Sequence, residues 1–440
     1  MPSNTHHRAS WTARTCTWLS LLLSLEVSAA EHAPSFATHS AQYSPYFPSA
    51  PYQEPPPSCH VTQVNVLQRH GARYPTLGAA LDMVSSLSKL QGRKSYPSEL
   101  EFMRSYKYNL GVNSLLPAGA LESRQAGKEV FERYCSRTRS DDCGEPFIRA
   151  SLSERVVQSA SNWSLAFSYE ARSSPPPILT ISERIGAKNP LENRCPNGPP
   201  SLKEQREWQD VFAPSIIARL ETVDPPFGLD GLDIVNFAHL CAFESLALEA
   251  TSPFCGLFRE EDWEAIEYHG DLSKYFGFGH GNPLARGQGV GYVNELVARL
   301  TGDRTYIEQD TTQINHTLDS DSATFPLDRK IYVDFSHDNL IAPVVSLIGL
   351  FNDPPLNSTH PDPHRRWVFS EIAPFGGRLV VERLSCSAGE HVRILSSDAV
   401  QPLGSFCEGA LANGLCRLSS FVKAMEMATA IGTEEYRRCF

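Results

Sequence analysis

The sequence predicts an α/β protein in which a mostly parallel central sheet is flanked by helices and carries an inserted, mainly helical smaller domain. Apolar runs typical of buried strands occur at residues 61–67, 145–151 and 329–336, and a segment with helical spacing of apolar residues follows each of them. Strands that alternate with helices in this way favour a parallel sheet. Between residues 203 and 300 helical spacing dominates, which predicts the insertion.

The first 30 residues predict a secretory signal peptide. Arg8 and Arg14 precede an apolar run at residues 18–25, and the small residues at 27–30 suit a cleavage site. The run is too short to span a membrane, and no later stretch is expected to be long and apolar enough to do so. An apolar N-terminal helix is the alternative interpretation. The mature protein is expected to be secreted and extracellular, with three acceptors for N-glycosylation: Asn162, Asn315 and Asn357.

Composition and periodicity predict three further divisions of the chain. Residues 31–58 are rich in Pro, Ser, Ala and Tyr with almost no charge, which predicts an extended arm over the surface without a core of its own. Residues 59–173 and 325–440 carry the strand-and-helix pattern and are predicted to form one α/β domain. Residues 174–324 are predicted to be the inserted helical domain, and prolines at its start end the preceding helix.

Apolar residues at three- and four-residue steps predict the individual helices. In the first of them Leu81, Val84, Leu87 and Leu90 are expected to face the sheet. Ser98 and Glu101 have the spacing of a capping box at the start of the second. The predicted helices cover residues 77–90, 99–110, 118–134, 153–169, 207–221, 231–249, 259–276, 289–300, 338–350 and 418–430, and two further strands, 378–384 and 391–395, form a hairpin.

The chain is strongly acidic, with a formal net charge of −11 at neutral pH. Such a chain is a poor candidate for binding nucleic acid, whose phosphates require basic surfaces. If its substrate is an anion, the attraction must come from a local basic pocket. We expect a monomer whose partner is a small molecule, with neither nucleic acid nor a membrane as a partner.

Ten of the eleven cysteines remain after removal of the signal peptide, and an even number in a secreted chain predicts five disulfides. The chain contains no Cys-x-x-Cys, which argues against structural zinc, and the prolines between His360 and His364 favour a surface loop over a metal site. Short loops favour three pairs: Cys135–Cys143, Cys241–Cys255 and Cys407–Cys416. Four cysteines then remain for long-range bridges: Cys59, Cys195, Cys386 and Cys439.

Three polar clusters each lie at the carboxyl end of a predicted strand: residues 69–73, Arg149, and the pair His337 and Asp338. Because ligands of open α/β sheets bind at that edge, we expect the three clusters to converge. A histidine flanked by arginines, beside a glycine that lets the backbone approach a ligand, suits covalent phosphate chemistry. The alternatives are a basic turn, a surface charge at Arg149 and a helix N-cap at Asp338.

Several segments of the sequence resemble the histidine acid phosphatase family, and within it the secreted phytases of fungi. Residues 69–76 match the Arg-His-Gly-Ala-Arg-x-Pro-Thr motif of that group, and residues 337–338 match its His-Asp pair. Segments 147–151, 288–300 and 318–327 are similar to the phytase branch, closest to the mushroom-type fungal group. The resemblance implies a histidine-phosphatase-like fold and a phosphoric monoester hydrolase that acts on phytate.

The resemblance also implies how the site would divide the chemistry. His70 would attack phosphorus and form a phosphohistidine, so it must be neutral. Asp338 would protonate the leaving alkoxide and then help to activate water, so it must begin protonated, and an acidic optimum is expected. Neither a metal nor a cofactor is implied, because arginines supply the positive charge. The oxygens of the phosphoryl group would be bound by Arg69, Arg73, Arg149 and His337.

Substrate selectivity is where the sequence departs from the family. Lys274 matches a segment that overhangs the pocket in relatives, but Ser273 replaces one lysine of a common pair. Residues 77–79 lack a lysine that some relatives have, and Arg286 stands where proline is common. These departures leave the phosphatase prediction intact and leave open the alternative of a broad-specificity secreted acid phosphatase with little phytate preference. A further alternative, an anion-binding pseudoenzyme, would require the loss of a catalytic residue, and none is missing from the motifs. For the four remaining cysteines the resemblance implies the pairs Cys59–Cys386 and Cys195–Cys439.

Overall fold

The computed structural model describes residues 34–135 and 143–440. The chain from Ser35 to Phe440 is one compact unit. The predicted signal peptide, residues 1–30, lies outside the described residues, as do residues 31–33 of the predicted arm.

One mixed sheet contains the strands β1 (Cys59–Arg69), β2 (Phe147–Ser151), β3 (Ile178–Ile181), β4 (Ile331–Ser336), β5 (Arg378–Cys386), β6 (Gly389–Ser396), β7 (Ala399–Val400) and β8 (Cys416–Arg417). Its order is β3-β2-β4-β1-β5-β6-β7, with β8 beside β6. The first four strands in this order are parallel, and those beyond β1 are antiparallel. The predicted α/β class is therefore confirmed, and the predicted hairpin is formed by β5 and β6.

The longer helices are α1 (Leu77–Leu90), α2 (Pro117–Tyr134), α3 (Glu154–Ala171), α4 (Leu202–Leu220), α5 (Gly231–Leu248), α6 (Glu260–Phe278), α7 (Val290–Thr301), α8 (Asp338–Ile348) and α9 (Leu418–Arg437). They confirm the predicted helices, with ends shifted by a few residues. The exception is residues 99–110, where only the short turn Ser98–Arg104 forms. The capping box is wrong, because the Ser98 hydroxyl donates to the Glu99 carboxylate (2.8 Å) and caps nothing.

Helix α1 packs through a face that includes only part of the predicted one, since Leu87 and Leu90 are buried as predicted. Met83 and Leu87 are buried, whereas Leu81 and Val84 are exposed. Both sets recur at three- and four-residue steps, so periodicity alone could not choose between them. The buried face of α1 packs against α5.

The chain between β3 and β4 is mainly helical and contains α4 to α7. β3 itself pairs with β2 in the main sheet, so the predicted insertion of residues 174–324 is not helical at its start. Helix α4 packs against both α5 and α6, whereas α7 packs against α8 and α9. The division into an α/β domain and an inserted domain stays a prediction, and β3 and α7 contact the α/β part.

Helix α5 is long and apolar enough, by length and composition, to cross a membrane, contrary to the expectation from the sequence. However, 67% of it is buried inside the fold. A helix that is apolar on most sides and mostly buried is typical of a protein core.

The first part of the predicted N-terminal arm packs into the fold, whereas residues 45–58 form no helix or strand and are half-buried or exposed. It forms a helical turn at Ala41–Tyr43, in which Ala41 and Gln42 are buried. The Ala41 amide donates to Glu267 Oε2 of α6 (2.6 Å). The Gln42 carbonyl accepts from the Arg69 guanidinium at the end of β1. The turn at Ala41–Tyr43 therefore lies beside the predicted site.

Five disulfides join distant and neighbouring parts of the described chain. One connects the paired ends of β1 and β5, and another connects the loop before α4 to the end of α9. The other three close short loops. The pairs are Cys59–Cys386, Cys135–Cys143, Cys195–Cys439, Cys241–Cys255 and Cys407–Cys416.

Two glycines let the segment after β1 contact the start of α2 backbone to backbone. A Cβ added to Gly71 would lie 2.2 Å from the Gly119 carbonyl oxygen, and one added to Gly119 would lie 2.1 Å from that of Ala72. Gly71 thus serves helix packing, and its approach to a ligand stays a prediction. The Glu122 carboxylate of α2 accepts from the amides of Ala72 (2.7 Å) and Tyr46 (3.2 Å).

We expect Gly119→Ala to lower the free energy of unfolding by about 3 kcal/mol, because the added methyl group meets backbone atoms that cannot rotate away. Gly78→Ala in α1 is the matched control, since nothing lies within 4 Å of its added Cβ. That control should gain up to about 1 kcal/mol from helix propensity. Denaturant unfolding measures both, and equal stabilities of the two variants would contradict the close contact.

Candidate active site

The carboxyl ends of two parallel strands bring two of the predicted clusters together. β1 and β4 are neighbours, and the His70 amide, just after β1, donates to Ser336 O at the end of β4 (3.0 Å). His337 and Asp338 follow Ser336 at the start of α8. The ring centroids of His70 and His337 are 5.5 Å apart. Residues far apart in the sequence therefore share one site.

His70 is arranged as a neutral nucleophile. Its Nδ1 lies 2.9 Å from the Gly71 carbonyl oxygen. Because a carbonyl only accepts, Nδ1 carries the proton and Nε2 keeps its lone pair. Burial first, and then the charges of Arg69 and Arg73, hold the pKa of His70 well below its ordinary value. The ring therefore stays neutral in acid, as an attacking nitrogen requires.

Arg69 and Arg73 place two guanidinium groups around the Phe375 ring, with their Cζ atoms 4.5 and 5.8 Å from its centroid. Arg69 is fixed by donation from Nη1 to the Ala373 carbonyl (2.9 Å). Its Nε and Nη2, and Nε of Arg73, have no hydrogen-bond partner in the described part of the chain. Burial lowers the pKa of Arg69 to about 10, so it remains charged in acid. Buried guanidinium donors of this kind suit a phosphate.

A third arginine, Arg155, joins this cluster and was not predicted. It lies in the first turn of α3, and its Nη2 is 3.4 Å from His337 Nδ1. Its charge contributes to the lowered pKa of His70. A signal was present in the sequence, because a cation in the first turn of a helix opposes the helix dipole. An arginine one turn past a strand end therefore indicates a role beyond helix stability.

Arg149, predicted to bind phosphate, lies within the sheet and not at its edge. It is in register with Asp334 of β4, two residues before that strand ends. Its Nε donates to Asp334 Oδ1 (2.7 Å) and its Nη1 to Glu295 Oε1 of α7 (3.0 Å), and Nη2 contacts the other Glu295 oxygen. The residue is fully buried. The prediction that Arg149 binds phosphate is wrong, because its guanidinium already donates to the carboxylates of Asp334 and Glu295.

Substituting the two arginines should separate their roles. We expect Arg155→Met to lower kcat/KM for a phosphomonoester about 100-fold, as loss of one transition-state donor does, with little change in Tm. Arg149→Met leaves Asp334 and Glu295 without a buried partner and should destabilise the fold by about 3–5 kcal/mol. Thermal unfolding and kcat/KM per folded molecule, measured on the same samples, test both. If instead Arg149→Met lost kcat/KM with little change in Tm and Arg155→Met lost stability, Arg149 would be the phosphate ligand after all.

Asp338 is ionised in the free protein. Its Oδ2 accepts from Lys274 Nζ (2.5 Å), and its Oδ1 lies 3.4 Å from Arg69 Nη2. Burial alone would raise the pKa of Asp338, but the charges of Arg69 and Lys274 outweigh burial and hold it well below the ordinary value. The expectation that Asp338 begins protonated is therefore wrong for the free protein. A proton must arrive with the substrate or after it.

Lys274 is buried and contacts the site carboxylate Asp338, and its role in binding substrate stays a prediction. Besides Asp338, its ammonium group donates to Asn339 Oδ1 (2.7 Å). Burial lowers the pKa of Lys274, and the Asp338 carboxylate opposes that shift. Lys274 therefore holds Asp338 in the free protein. Arg286, the other candidate cation, pairs with Glu435 of α9 (2.9 Å).

His337 is held by a carboxylate that the sequence did not indicate. Its Nε2 lies 2.9 Å from Oε1 of Glu183, in the loop after β3. Because β3 is parallel to β2, this loop reaches the same edge of the sheet as the other site residues. Burial alone would raise the pKa of Glu183, but the hydrogen bond and charge of His337 lower it.

Within residues 34–135 and 143–440, no three side chains of His, Cys, Asp or Glu are grouped so as to hold a metal ion. His360 and His364 are exposed in a loop. The positive charge around His70 comes from Arg69, Arg73 and Arg155.

Comparison with known proteins identifies one family model and several relatives that share a name. The family model for the histidine phosphatase superfamily, branch 2, matches residues 60–397. The chain is 35% identical to Phytase A of Aspergillus oryzae, over 91% of this chain and 90% of that protein. It is 35% identical to Phytase A of Emericella nidulans, over 91% and 89% of the two chains. It is 34% identical to Phytase A of Aspergillus fumigatus, over 91% and 90%.

Two solved structures share the fold. The phytase from D. castellii aligns with a TM-score of 0.72 at 22% identity, covering 90% of this chain and 85% of that chain. The multiple inositol polyphosphate phosphatase of Bifidobacterium longum, in complex with inositol hexasulfate, aligns with a TM-score of 0.60 at 11% identity, covering 88% and 96%. At these identities the likeness concerns the fold alone.

Proposed function

The chain belongs to branch 2 of the histidine phosphatase superfamily, and on this premise we propose that it is a secreted acid phosphomonoesterase that removes phosphate from phytate (myo-inositol hexakisphosphate). One observation carries the proposal: His70 is neutral, with a free Nε2, among three arginines. Its relatives at 34–35% identity over nine tenths of the chain are named Phytase A.

The first step transfers the phosphoryl group to His70. Nε2 attacks phosphorus, the bond between phosphorus and the ester oxygen breaks, and the ring keeps the group as a phosphohistidine. The Gly71 carbonyl, which accepts from Nδ1–H, stabilises the positive ring that forms. No base is needed to activate Nε2, because the neutral tautomer already has its lone pair there.

The arginines stabilise charge on the phosphoryl oxygens. A planar guanidinium donates two parallel hydrogen bonds to a phosphate, and donors placed where charge develops are each worth roughly 3 kcal/mol in the transition state. Arg69, Arg73 and Arg155 fill this role, and Arg149 does not. The Phe375 ring supports the first two and excludes water from their inner faces.

The proton for the leaving group reaches Asp338 from the substrate. The second pKa of a phosphomonoester is about 6, so in acid the substrate binds as a monoanion. Three guanidinium groups favour the dianion, and the phosphate takes over the Arg69 contact that keeps Asp338 ionised. Asp338 then protonates the leaving alkoxide. In the second step its carboxylate takes a proton from the water that breaks the phosphorus–nitrogen bond and releases orthophosphate.

Turnover of two substrates tests the proposal. Phytate should have a higher kcat/KM than a simple aryl phosphate at about pH 5, where the phosphate is a monoanion. Equal kcat/KM values on the two substrates would favour the broad-specificity acid phosphatase. The replacement of a lysine by Ser273 and the lack of a lysine at residues 77–79 are consistent with that alternative. Binding of inorganic phosphate without turnover of either substrate would indicate the anion-binding pseudoenzyme.

Secretion, glycosylation and a monomeric state belong to the same proposal. Asn357 is the acceptor best placed for a glycan, since it is exposed in a turn where its Oδ1 accepts from the Thr359 amide (2.9 Å). Asn315 is partly exposed. Asn162 is also partly exposed and lies within α3, where its Oδ1 accepts from Arg124 (2.9 Å).

A further inference from the structure

We propose that Glu183 is a positioning residue for His337: it holds the ring by Nε2 so that Nδ1 faces the bound phosphate, and its charge lets His337 bind that phosphate as a cation. The proposal rests on the phosphatase function proposed above and assigns a role to a residue that no motif of the sequence marks. It concerns binding and orientation of the phosphate, not the bonds that break.

Hydrogen-bond chemistry fixes where the proton of His337 resides in the free protein. Arginine only donates, so His337 Nδ1, 3.4 Å from Arg155 Nη2, accepts. The neutral ring therefore carries its proton on Nε2, which donates to Glu183 Oε1 at 2.9 Å. The ring is thus held from both sides, with its centroid 5.5 Å from that of His70.

Several other charged or titratable groups lie next to Glu183 and His337. Arg155 and His70 face His337, and Asp338 follows it in the chain. Glu183 faces His337 and Arg155, and the pKa of the neighbouring Glu192 is raised by burial first and then by the charge of Glu183. Among these groups, Glu183 is the carboxylate that contacts the His337 ring directly.

Substrate binding changes the balance around His337. When Arg155 donates to the phosphate, Nδ1 of His337 is left facing an anion and gains from carrying a proton. A second cation beside Arg155 is unfavourable unless a carboxylate offsets it, and Glu183 supplies that carboxylate. A carboxylate behind a histidine both orients the ring and stabilises its charged form.

Glu183→Gln tests the charge, because the amide oxygen can still accept from Nε2–H. At about pH 6 we expect a 10- to 100-fold loss in kcat/KM for an aryl phosphate and in affinity for inorganic phosphate, as for other outer-shell partners. The loss should fall mainly on KM and shrink toward about pH 4, where protons are abundant. Glu183→Asp should recover part of the loss. Glu390→Gln, a carboxylate paired with Arg383 at the opposite end of the sheet (2.9 Å), is the matched control and should behave as wild type.

A double-mutant cycle with His337→Asn decides the case. Glu183→Gln should add less than about twofold in that background, because its effect passes through the ring. The proposal would be overturned if Glu183→Gln lowered kcat/KM by the same factor with and without His337. It would also be overturned if the loss in kcat/KM were equal at all pH values and both Glu183 variants had a lower Tm. A wild-type protein that binds phosphate but hydrolyses no ester would contradict the proposed function instead, and the phosphate affinities would still test the link between Glu183 and His337.

Discussion

His70→Ala is expected to lower kcat/KM for every phosphomonoester by about 10⁴-fold or more, because removal of a covalent nucleophile eliminates the whole two-step route. His70 is buried, and because its Nδ1–H donates to the Gly71 carbonyl, Nε2 is the nitrogen that can attack phosphorus. Inorganic phosphate should still bind, since Arg69, Arg73 and Arg155 remain. Initial rates on phytate and an aryl phosphate, with phosphate affinity from calorimetry, measure both parts.

The matched control is His360→Ala, which removes an exposed loop histidine and should retain full activity. Circular dichroism of His70→Ala checks that the fold survives the cavity left in the core. A folded variant that keeps more than about a tenth of wild-type kcat/KM would place the nucleophile elsewhere.

Asp338→Asn is expected to lower kcat on phytate by roughly 10²–10⁴-fold, the usual contribution of a general acid. The leaving group of phytate is an alkoxide, which needs a proton as it departs. An aryl phosphate whose phenol is acidic enough to leave as its anion should lose far less in the first step. Because Asp338 also serves the water step, that substrate should give a burst of phenol followed by slow turnover.

Rapid-mixing kinetics on the two substrates distinguish this role from a structural one. The asparagine can still contact Lys274, so the packing around the site should be retained. Equal losses on both substrates, with no burst, would mean that Asp338 supports the site without supplying the proton. His337→Asn provides the comparison, since it removes a phosphate donor and should reduce the two substrates alike.

Strand ends and their order were sufficient to predict that His70 and the His337-Asp338 pair meet, because parallel neighbours β1 and β4 end at one edge of the sheet. The same reasoning failed for Arg149, which lies on β2 two residues before the level at which β4 ends. Side-chain direction and register decide whether a residue of a strand reaches the edge, and neither can be read from composition.

Residues that act through contacts distant in sequence were the hardest to predict. Gln42 was placed in a surface arm, yet its carbonyl accepts from Arg69. Lys274 was expected above the pocket, yet it pairs with Asp338. Glu183 has no motif at all. In each case the partner is contributed by another element, so the role exists only once the fold has brought the two together.

The most direct test of the central claim is the identity of the phosphorylated residue. Enzyme quenched in alkaline denaturant during turnover of an aryl phosphate, then digested and mapped by mass spectrometry, should carry phosphate on His70, and Asp338→Asn should accumulate more of it. The bond should be acid-labile and absent from His70→Ala. Phosphate on another residue, or an active enzyme with no trapped phosphohistidine and inversion at phosphorus, would contradict the account.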